Sequence, residues 1–174
     1  YPKNSKQPIK EKYLLSSSLE KTNEAYALAK IVGLKMCEYY NQQYKKSYFT
    51  LMPCNLYGPN DNFDLKNSHF IPALIKKIIH SKIKNKRSIE IWGTGKPKRE
   101  VMHVDDLSSA IYFIIKKKLN NNKLLLNYLK KSSLINVGSR NEYTIKQYAI
   151  LITKLVKNKY KLVFNKSYPD GTKR

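Results

Sequence analysis

The sequence has few cysteines, no long apolar run and few acidic residues, and each shortage excludes a class of protein. The two cysteines, Cys37 and Cys54, form neither a metal-ligand spacing nor a disulfide framework. Their scarcity favours a reducing compartment. The apolar runs are strand-sized, well short of the roughly 20 residues of a membrane span, and no signal-peptide pattern opens the chain. We therefore expect a cytoplasmic protein without a membrane partner.

Glycine is also scarce. The six glycines form no G-x-G-x-x-G loop, which a complete dinucleotide-binding fold uses to bring backbone N–H groups to a pyrophosphate. The chain begins at Tyr1 rather than Met, and residues 169–174 read as a turn in progress. We expect these residues to be the C-terminal part of a longer protein, and the 174 residues alone to be catalytically inactive.

The charge balance is strongly basic, with 34 Lys and Arg against 12 Asp and Glu and a formal net charge of +22. Such a charge attracts any polyanion, so a nucleic-acid-binding module is one alternative. However, the lysines are scattered, and neither an aromatic RNP pattern nor a Cys/His zinc spacing accompanies them. We interpret the charge as a compositional bias and expect no specific nucleic-acid partner. A dinucleotide and a nucleotide-sugar are anions too.

Strand patterns alternate with helix patterns, which predicts an α/β architecture with a largely parallel sheet. Strands are predicted at 48–53, 88–92, 101–104, 134–137 and 161–165, and helices at 23–44, 69–83, from 105 onward and 144–156. Residues 55–59 read as a turn. Thr22 or Asn23 is expected to cap the first helix, and Asp105 to be the N-cap of the third. Thr144 and Gln147 have the spacing of a capping box. The Lys/Asn-rich residues 116–131 are predicted to be a low-complexity surface insertion.

One helical pair has the chemistry of a proton-transfer site. Tyr26 and Lys30 are four residues apart, so both should lie on one face of the first helix. A lysine ammonium beside a phenol favours the ionised form, and this makes the tyrosine a usable proton donor or acceptor. The same spacing is also typical of an ordinary amphipathic helix with a tyrosine at the edge of the core. The motifs that follow in the sequence distinguish these two interpretations.

Further motifs follow the pair in a fixed order. They are Leu56-Tyr57-Gly58-Pro59-Asn60-Asp61-Asn62-Phe63, Asn67-Ser68-His69, Trp92-Gly93-Thr94-Gly95, Arg99-Glu100, His103-Val104-Asp105-Asp106-Leu107 and Pro169-Asp170-Gly171-Thr172. In this order the motifs resemble the nucleotide-sugar epimerase/dehydratase branch of the short-chain dehydrogenases, and within it the GDP-L-fucose synthases. The resemblance covers nearly the whole chain except the Lys/Asn-rich segment. It implies the C-terminal part of a Rossmann-type fold over residues 1–66, and a substrate-binding subdomain with interleaved Rossmann elements over 67–174.

The resemblance also implies a cofactor, NADP(H), and the residues that serve it. Tyr26 would donate a proton in the keto reduction, and Lys30 would bind the nicotinamide ribose. His69 would contact the cofactor and act as an acid/base in epimerisation, a task that suits an imidazole. The remaining residues implied to line the cofactor site are Pro53, Cys54, Asn55 and Leu56.

On the substrate side, the resemblance implies that Lys77, Trp92, Arg99 and Asp170 hold a GDP-sugar. Lysine and arginine suit a diphosphate, and an indole offers a flat face to a ring. The implied reaction converts GDP-4-keto-6-deoxy-D-mannose to GDP-L-fucose, in a homodimer. From the residues alone, Trp92 could equally be a core aromatic, Lys77 a solvated lysine and His69 a helix-start residue.

The chain departs from the family pattern at one end and at one position. The family serine and cysteine that act on the substrate would precede Tyr1 and are not among these residues, and Cys54 stands where threonine or another small residue is usual. Two alternatives therefore stay open beside the nucleic-acid module. One is another nucleotide-sugar epimerase or dehydratase of the extended short-chain dehydrogenase class, and the other is a non-catalytic remnant.

Overall fold

Five α-helices and seven β-strands form in residues 1–65, 67–157 and 159–170, the part of the chain that the computed structural model describes. Their bounds are α1 Glu24–Tyr44, β1 Thr50–Pro53, β2 Asn55–Tyr57, α2 Phe70–Ile83, β3 Ser88–Trp92, β4 Lys98–His103, α3 Val104–Leu119, α4 Lys123–Lys131, β5 Leu134–Val137, β6 Glu142–Thr144, α5 Ile145–Leu155 and β7 Lys161–Asn165. Gly171 and Thr172, the end of the last matched motif, lie outside the described residues. None of the described helices has the length and apolar character needed to cross a membrane.

The elements divide into two units between which the chain passes three times. The first unit comprises Tyr1–Cys54 and Asp105–Gly138, and the second comprises Asn55–Val104 and Ser139–Arg174. The sequence analysis placed a boundary near residue 66 and expected Rossmann elements to be interleaved within 67–174. In the structure the second unit begins at β2, and α3, α4 and β5 belong to the first.

The first unit is built on a parallel pair of strands. β1 pairs with β5 in parallel from Thr50 opposite Leu134 to Pro53 opposite Val137. The backbone N–H of Cys54 continues this ladder by donating to the carbonyl of Val137 at 2.9 Å. In α1, Leu34 is almost completely buried, and Ile31 is also buried. The helix that carries the Tyr26–Lys30 pair is therefore fixed by packing along its middle.

The second unit has a core between helices and a strand. Ile71, Leu74 and Ile78 recur on one face of α2 and pack with Ile89 and Ile91 of β3. In β3 buried and exposed residues alternate, because successive side chains of a strand point to opposite faces. Glu90 and Trp92 therefore point away from this core. The tryptophan is thereby presented on the outer face of the strand.

Three of the four strand pairings are parallel, which confirms the predicted α/β class with largely parallel strands. β2 pairs with β4 and β3 with β7, both in parallel, whereas β4 and β6 are antiparallel. The predicted bounds of β3, β5 and β7 match those of the structure. The capping box of Thr144 and Gln147 is present as predicted at the start of α5.

Two local predictions were wrong. Asp105 is not an N-cap but lies in the first turn of α3, because β4 runs directly into that helix. Residues 55–57 form β2 rather than a turn, because they pair with β4. Of the two predicted caps of α1, Asn23 holds the N-cap position, but its side chain makes no capping bond, and the Thr22 hydroxyl donates to Glu20. The Lys/Asn-rich segment contains α4, whose first turn is capped by the Asn122 side chain. That this segment is an insertion stays a prediction.

Removing the capping box is expected to destabilise the protein modestly. Thr144 Oγ1 accepts from the Gln147 N–H at 3.1 Å, and Gln147 Oε1 accepts from the Thr144 N–H at 2.8 Å. Thr144→Ala should lower the free energy of unfolding by about 1 kcal/mol, because a helix N–H loses its acceptor. Urea unfolding measures the change. Thr144→Ser keeps the acceptor and should stay near wild type, so equal losses in both variants would contradict this explanation.

Candidate active site

The Tyr26 and Lys30 side chains lie together on one face of α1, as their spacing predicted. Lys30 Nζ is 5.2 Å from the centroid of the Tyr26 ring. Tyr26 is 63% exposed and Lys30 is exposed as well, so both functional groups are open to a ligand. A lysine ammonium beside a tyrosine ring can stabilise negative charge that develops during a reaction at this place. The pair can therefore deliver a proton and stabilise the charge that develops on doing so.

The four predicted cofactor-lining residues are shared between the two units. Pro53 ends β1, and the half-buried thiol of Cys54 follows it in the first unit. Asn55 and Leu56 begin β2 in the second unit, where Asn55 Nδ2 donates to the carbonyl of Glu100 at 3.2 Å. Parallel strands commonly place ligand-binding residues just after their carboxyl ends. Pro53 and Cys54 occupy that position on β1.

His69 immediately precedes α2 and has an extended backbone. Its carbonyl accepts the N–H of Ala73 at 3.1 Å, which starts the helix. The imidazole makes no capping bond to the helix, and the residue is exposed. His69 is thus a helix-start residue in its backbone role. Its ring remains accessible for acid/base chemistry.

Among the predicted substrate residues, Trp92 contacts another member of the set directly. Lys77 Nζ lies 4.2 Å from the centroid of the indole ring. The indole Nε1 donates to Glu90 Oε1 at 3.2 Å, which fixes the ring on the outer face of β3. Tyr168 stacks on the indole with centroids 4.3 Å apart and an interplanar angle of 10°. Sequence reasoning missed Tyr168, because its contact with Trp92 depends on the pairing of β7 with β3.

Asp170 is tied to the turn that follows Trp92. Its carboxylate accepts the Thr94 N–H at 2.6 Å and the Thr94 hydroxyl at 2.7 Å. Gly93 has a φ of +76°, and a Cβ there would come within 2.3 Å of Asp170 Oδ1. Glycine is thus required by both conformation and space. The predicted Trp92-Gly93-Thr94 motif serves to hold Asp170.

The hydrogen bonds from Thr94 lower the pKa of Asp170 below its ordinary value, with help from the charges of Lys96 and Arg99. A lowered pKa means that the ionised carboxylate is favoured in the folded state. The attachment of Asp170 therefore contributes stability at neutral pH. That contribution is lost only as the pH falls through the lowered pKa, in the acid range.

Two cations in this unit are partly desolvated. Burial lowers the pKa of Arg99, with the charge of Asp170 opposing the shift, and burial lowers the pKa of Lys77, with Glu90 opposing it. Among the described residues, no carboxylate lies within ion-pair distance of either side chain. Partly buried cations that lack a paired carboxylate are suited to bind an anion. Both belong to the second unit, as do Trp92 and Asp170.

In the structure Lys77 contacts Trp92, and Asp170 is hydrogen-bonded to the turn that follows Trp92. The charge of Asp170 also acts on Arg99, where it raises the pKa of the guanidinium against the effect of burial. All four predicted substrate residues surround the connection between β3 and β4. Tyr26 and Lys30 form a separate pair on α1 of the first unit. Within the described residues, no cluster of three or more His, Cys, Asp or Glu side chains could hold a metal ion.

Comparison with known proteins gives a consistent result. A model of the NAD dependent epimerase/dehydratase family matches residues 1–128. The chain is 46% identical over 174 residues to GDP-L-fucose synthase of Escherichia coli (strain K12). The aligned residues cover the whole of this chain and 54% of that protein.

Solved structures agree with this match. A GDP-6-OMe-4-keto-L-xylo-heptose reductase from C. jejuni has a TM-score of 0.81 at 34% identity, covering 99% of this chain and 57% of that one. A GDP-L-fucose synthetase from Naegleria fowleri bound to NADP has a TM-score of 0.81 at 25% identity. The match covers 99% of this chain and 52% of that one. The chain spans about half the length of the curated relatives that it matches.

Proposed function

Because the chain belongs to the NAD dependent epimerase/dehydratase family, we propose that its protein catalyses the GDP-L-fucose synthase reaction. GDP-4-keto-6-deoxy-D-mannose is epimerised at C3 and C5 and then reduced at C4 with NADPH. The observation that carries the proposal is the exposed Tyr26–Lys30 pair, in a chain that is 46% identical over its whole length to a GDP-L-fucose synthase. The NADP bound to one structural relative supports the choice of cofactor.

The reduction uses the residues of the first unit. NADPH, when bound, supplies the hydride for C4. The Tyr26 hydroxyl donates a proton to the ketone oxygen. The Lys30 ammonium stabilises the negative charge that develops in the transition state, and its position beside Tyr26 is fixed before the reaction. Both groups are exposed, which leaves them open to the cofactor and the ketone. Pro53 and Cys54, after the carboxyl end of β1, would line the same cofactor.

The epimerisation and the nucleotide use residues of the second unit. Protons beside a ketone are acidic because the enolate is stabilised, and the exposed imidazole of His69 can exchange them. The Arg99 guanidinium can bind a diphosphate at two points, whereas Lys77 adds a single charge. Trp92 gives a flat surface for the base. The partial burial of both cations favours this assignment, since anion binding restores the interactions that burial removed.

A coupled measurement tests the proposal. The full-length protein that carries this sequence is mixed with NADPH and GDP-4-keto-6-deoxy-D-mannose, and the loss of nicotinamide absorbance is followed while products are separated by chromatography. We expect NADPH oxidation in step with GDP-L-fucose formation. A protein that leaves this substrate untouched but converts a UDP-sugar would refute the proposal.

A second candidate is a reductase that acts on a GDP-4-keto-sugar without epimerising it. The likeness to the heptose reductase, at 34% identity, favours it as the alternative. Running the assay in D2O separates the two. Epimerisation leaves deuterium at C3 and C5 of the product, whereas reduction alone leaves none at either carbon.

We propose a homodimer as the working state. α1 exposes an apolar stripe with helical spacing, formed by Leu28, Val32, Met36 and Tyr39. Contiguous exposed apolar surface of this kind marks an interaction site. Light scattering of the full-length protein should give twice the monomer mass. A monomer mass would mean that other residues of the same polypeptide cover the stripe.

A further inference from the structure

The indole of Trp92 is 45% exposed and has two close neighbours. The Tyr168 ring lies parallel to it with centroids 4.3 Å apart, and Lys77 Nζ lies over the indole, 4.2 Å from a ring centroid. Because a parallel ring at that distance fills one face, the ammonium must occupy the other. A planar base can therefore stack on Trp92 only after one of these two neighbours moves. Which neighbour moves determines the role of the other.

Tyr168 is held on both sides by the chain that carries it. The Ser167 N–H and hydroxyl both donate to Asn165 Oδ1, at 3.1 and 2.6 Å. Two residues beyond the tyrosine, Asp170 is bound to Thr94. Asn165 itself pairs with Trp92 at the end of the β3–β7 ladder. Tyr168 is thus anchored to the same strand end as the indole on which it stacks.

Lys77 is held less firmly. Its half-buried ammonium contacts the indole, and no carboxylate of the described residues lies within ion-pair distance. Burial also lowers the pKa of this ammonium, so its charged form lacks full compensation. A hydrogen bond to an ionised phosphate is stronger than a half-exposed cation–π contact. An arriving diphosphate would therefore draw Lys77 off the indole and leave that face open.

We infer that Tyr168 is a positioning residue of the nucleotide subsite, backing Trp92 so that the face left by Lys77 receives the purine base. This inference rests on the proposed function, because it takes a guanine nucleotide as the ligand. Tyr168 acts through the indole and does not touch the base. Its ring keeps the plane of Trp92 fixed before the ligand arrives, so less order is lost on binding.

The test measures the affinity of the full-length protein for GDP by titration calorimetry. Tyr168→Ala should weaken GDP binding by about 3- to 10-fold, the range of an aromatic stacking contact. Tyr168→Leu, which fills the space without stacking, should weaken it similarly, and Tyr168→Phe should stay within about twofold. Tyr48→Ala, which removes an exposed tyrosine of the first unit, is the control and should leave the affinity unchanged.

A double-mutant comparison separates positioning from general damage. In a Trp92→Ala background, Tyr168→Ala should cause less than about a twofold further loss, because a residue that acts through the indole has nothing left to act on. Additive losses, an unchanged affinity in Tyr168→Ala and Tyr168→Leu, or tighter binding in either would each overturn the inference. If wild type binds GDP and these variants match it, the inference alone fails. If wild type does not bind GDP, the proposed function fails with it.

Discussion

Tyr26→Phe is expected to lower the rate constant for keto reduction by about 10²- to 10⁴-fold, the usual contribution of a positioned proton donor. The phenylalanine keeps the ring beside Lys30 but cannot protonate the ketone oxygen. Binding of GDP should not change, because the substitution leaves the predicted nucleotide residues Lys77, Trp92 and Arg99 intact. Single-turnover oxidation of NADPH, followed by absorbance, measures the effect.

The matched control is Tyr44→Phe on the same helix. Tyr44 is 51% exposed, and the substitution removes the same hydroxyl outside the apolar stripe of α1. It should retain the wild-type rate constant. A Tyr26→Phe variant that keeps more than about a tenth of the wild-type rate would show that another group donates the proton.

Arg99→Ala is expected to weaken binding of the GDP-sugar by about 1.5–3 kcal/mol, the range for hydrogen bonds to a charged group. This corresponds to a loss of about 10- to 150-fold in affinity. The guanidinium is half-buried beside the turn that holds Asp170, and its planar fork matches two diphosphate oxygens. Titration calorimetry with GDP, a stable part of the substrate, gives the affinity.

Two further variants serve as controls for the Arg99→Ala measurement. Arg99→Lys keeps a positive charge but not the fork, so its affinity should fall between those of wild type and Arg99→Ala. Lys98→Ala removes the neighbouring exposed charge and should change the affinity little. Wild-type affinity in Arg99→Ala would remove Arg99 from the nucleotide site.

Much of the fold could be predicted because its signals are local. β3 and β7 are short apolar segments with turn residues nearby, and their bounds were predicted correctly. The Thr144–Gln147 capping box depends on residues three positions apart, and it is present. The family was also predicted correctly, since its motifs are read in order along the chain. The Tyr26–Lys30 contact follows from one helical turn.

The features that were missed depend on partners distant in sequence. β2 is a strand because β4 pairs with it, and nothing within residues 55–57 requires that state. The division into units depends on where β5 returns to β1. The stacking of Tyr168 on Trp92 likewise follows from the pairing of β7 with β3, which brings their ends together. No spacing rule along the chain expresses such a contact.

The threefold passage of the chain between its units has a consequence for biosynthesis. The ribosome synthesises residues in order, so β1 cannot pair with β5 until β5 has been made, and β3 cannot pair with β7 until β7 has been made. Non-local pairings of this kind form slowly, because long loops must close first. Until these partners are made, β1 and β3 each have a strand edge that lacks its later partner, and such edges favour aggregation. We expect folding of the nascent protein to benefit from chaperones that shield these edges until β5 and β7 have been made.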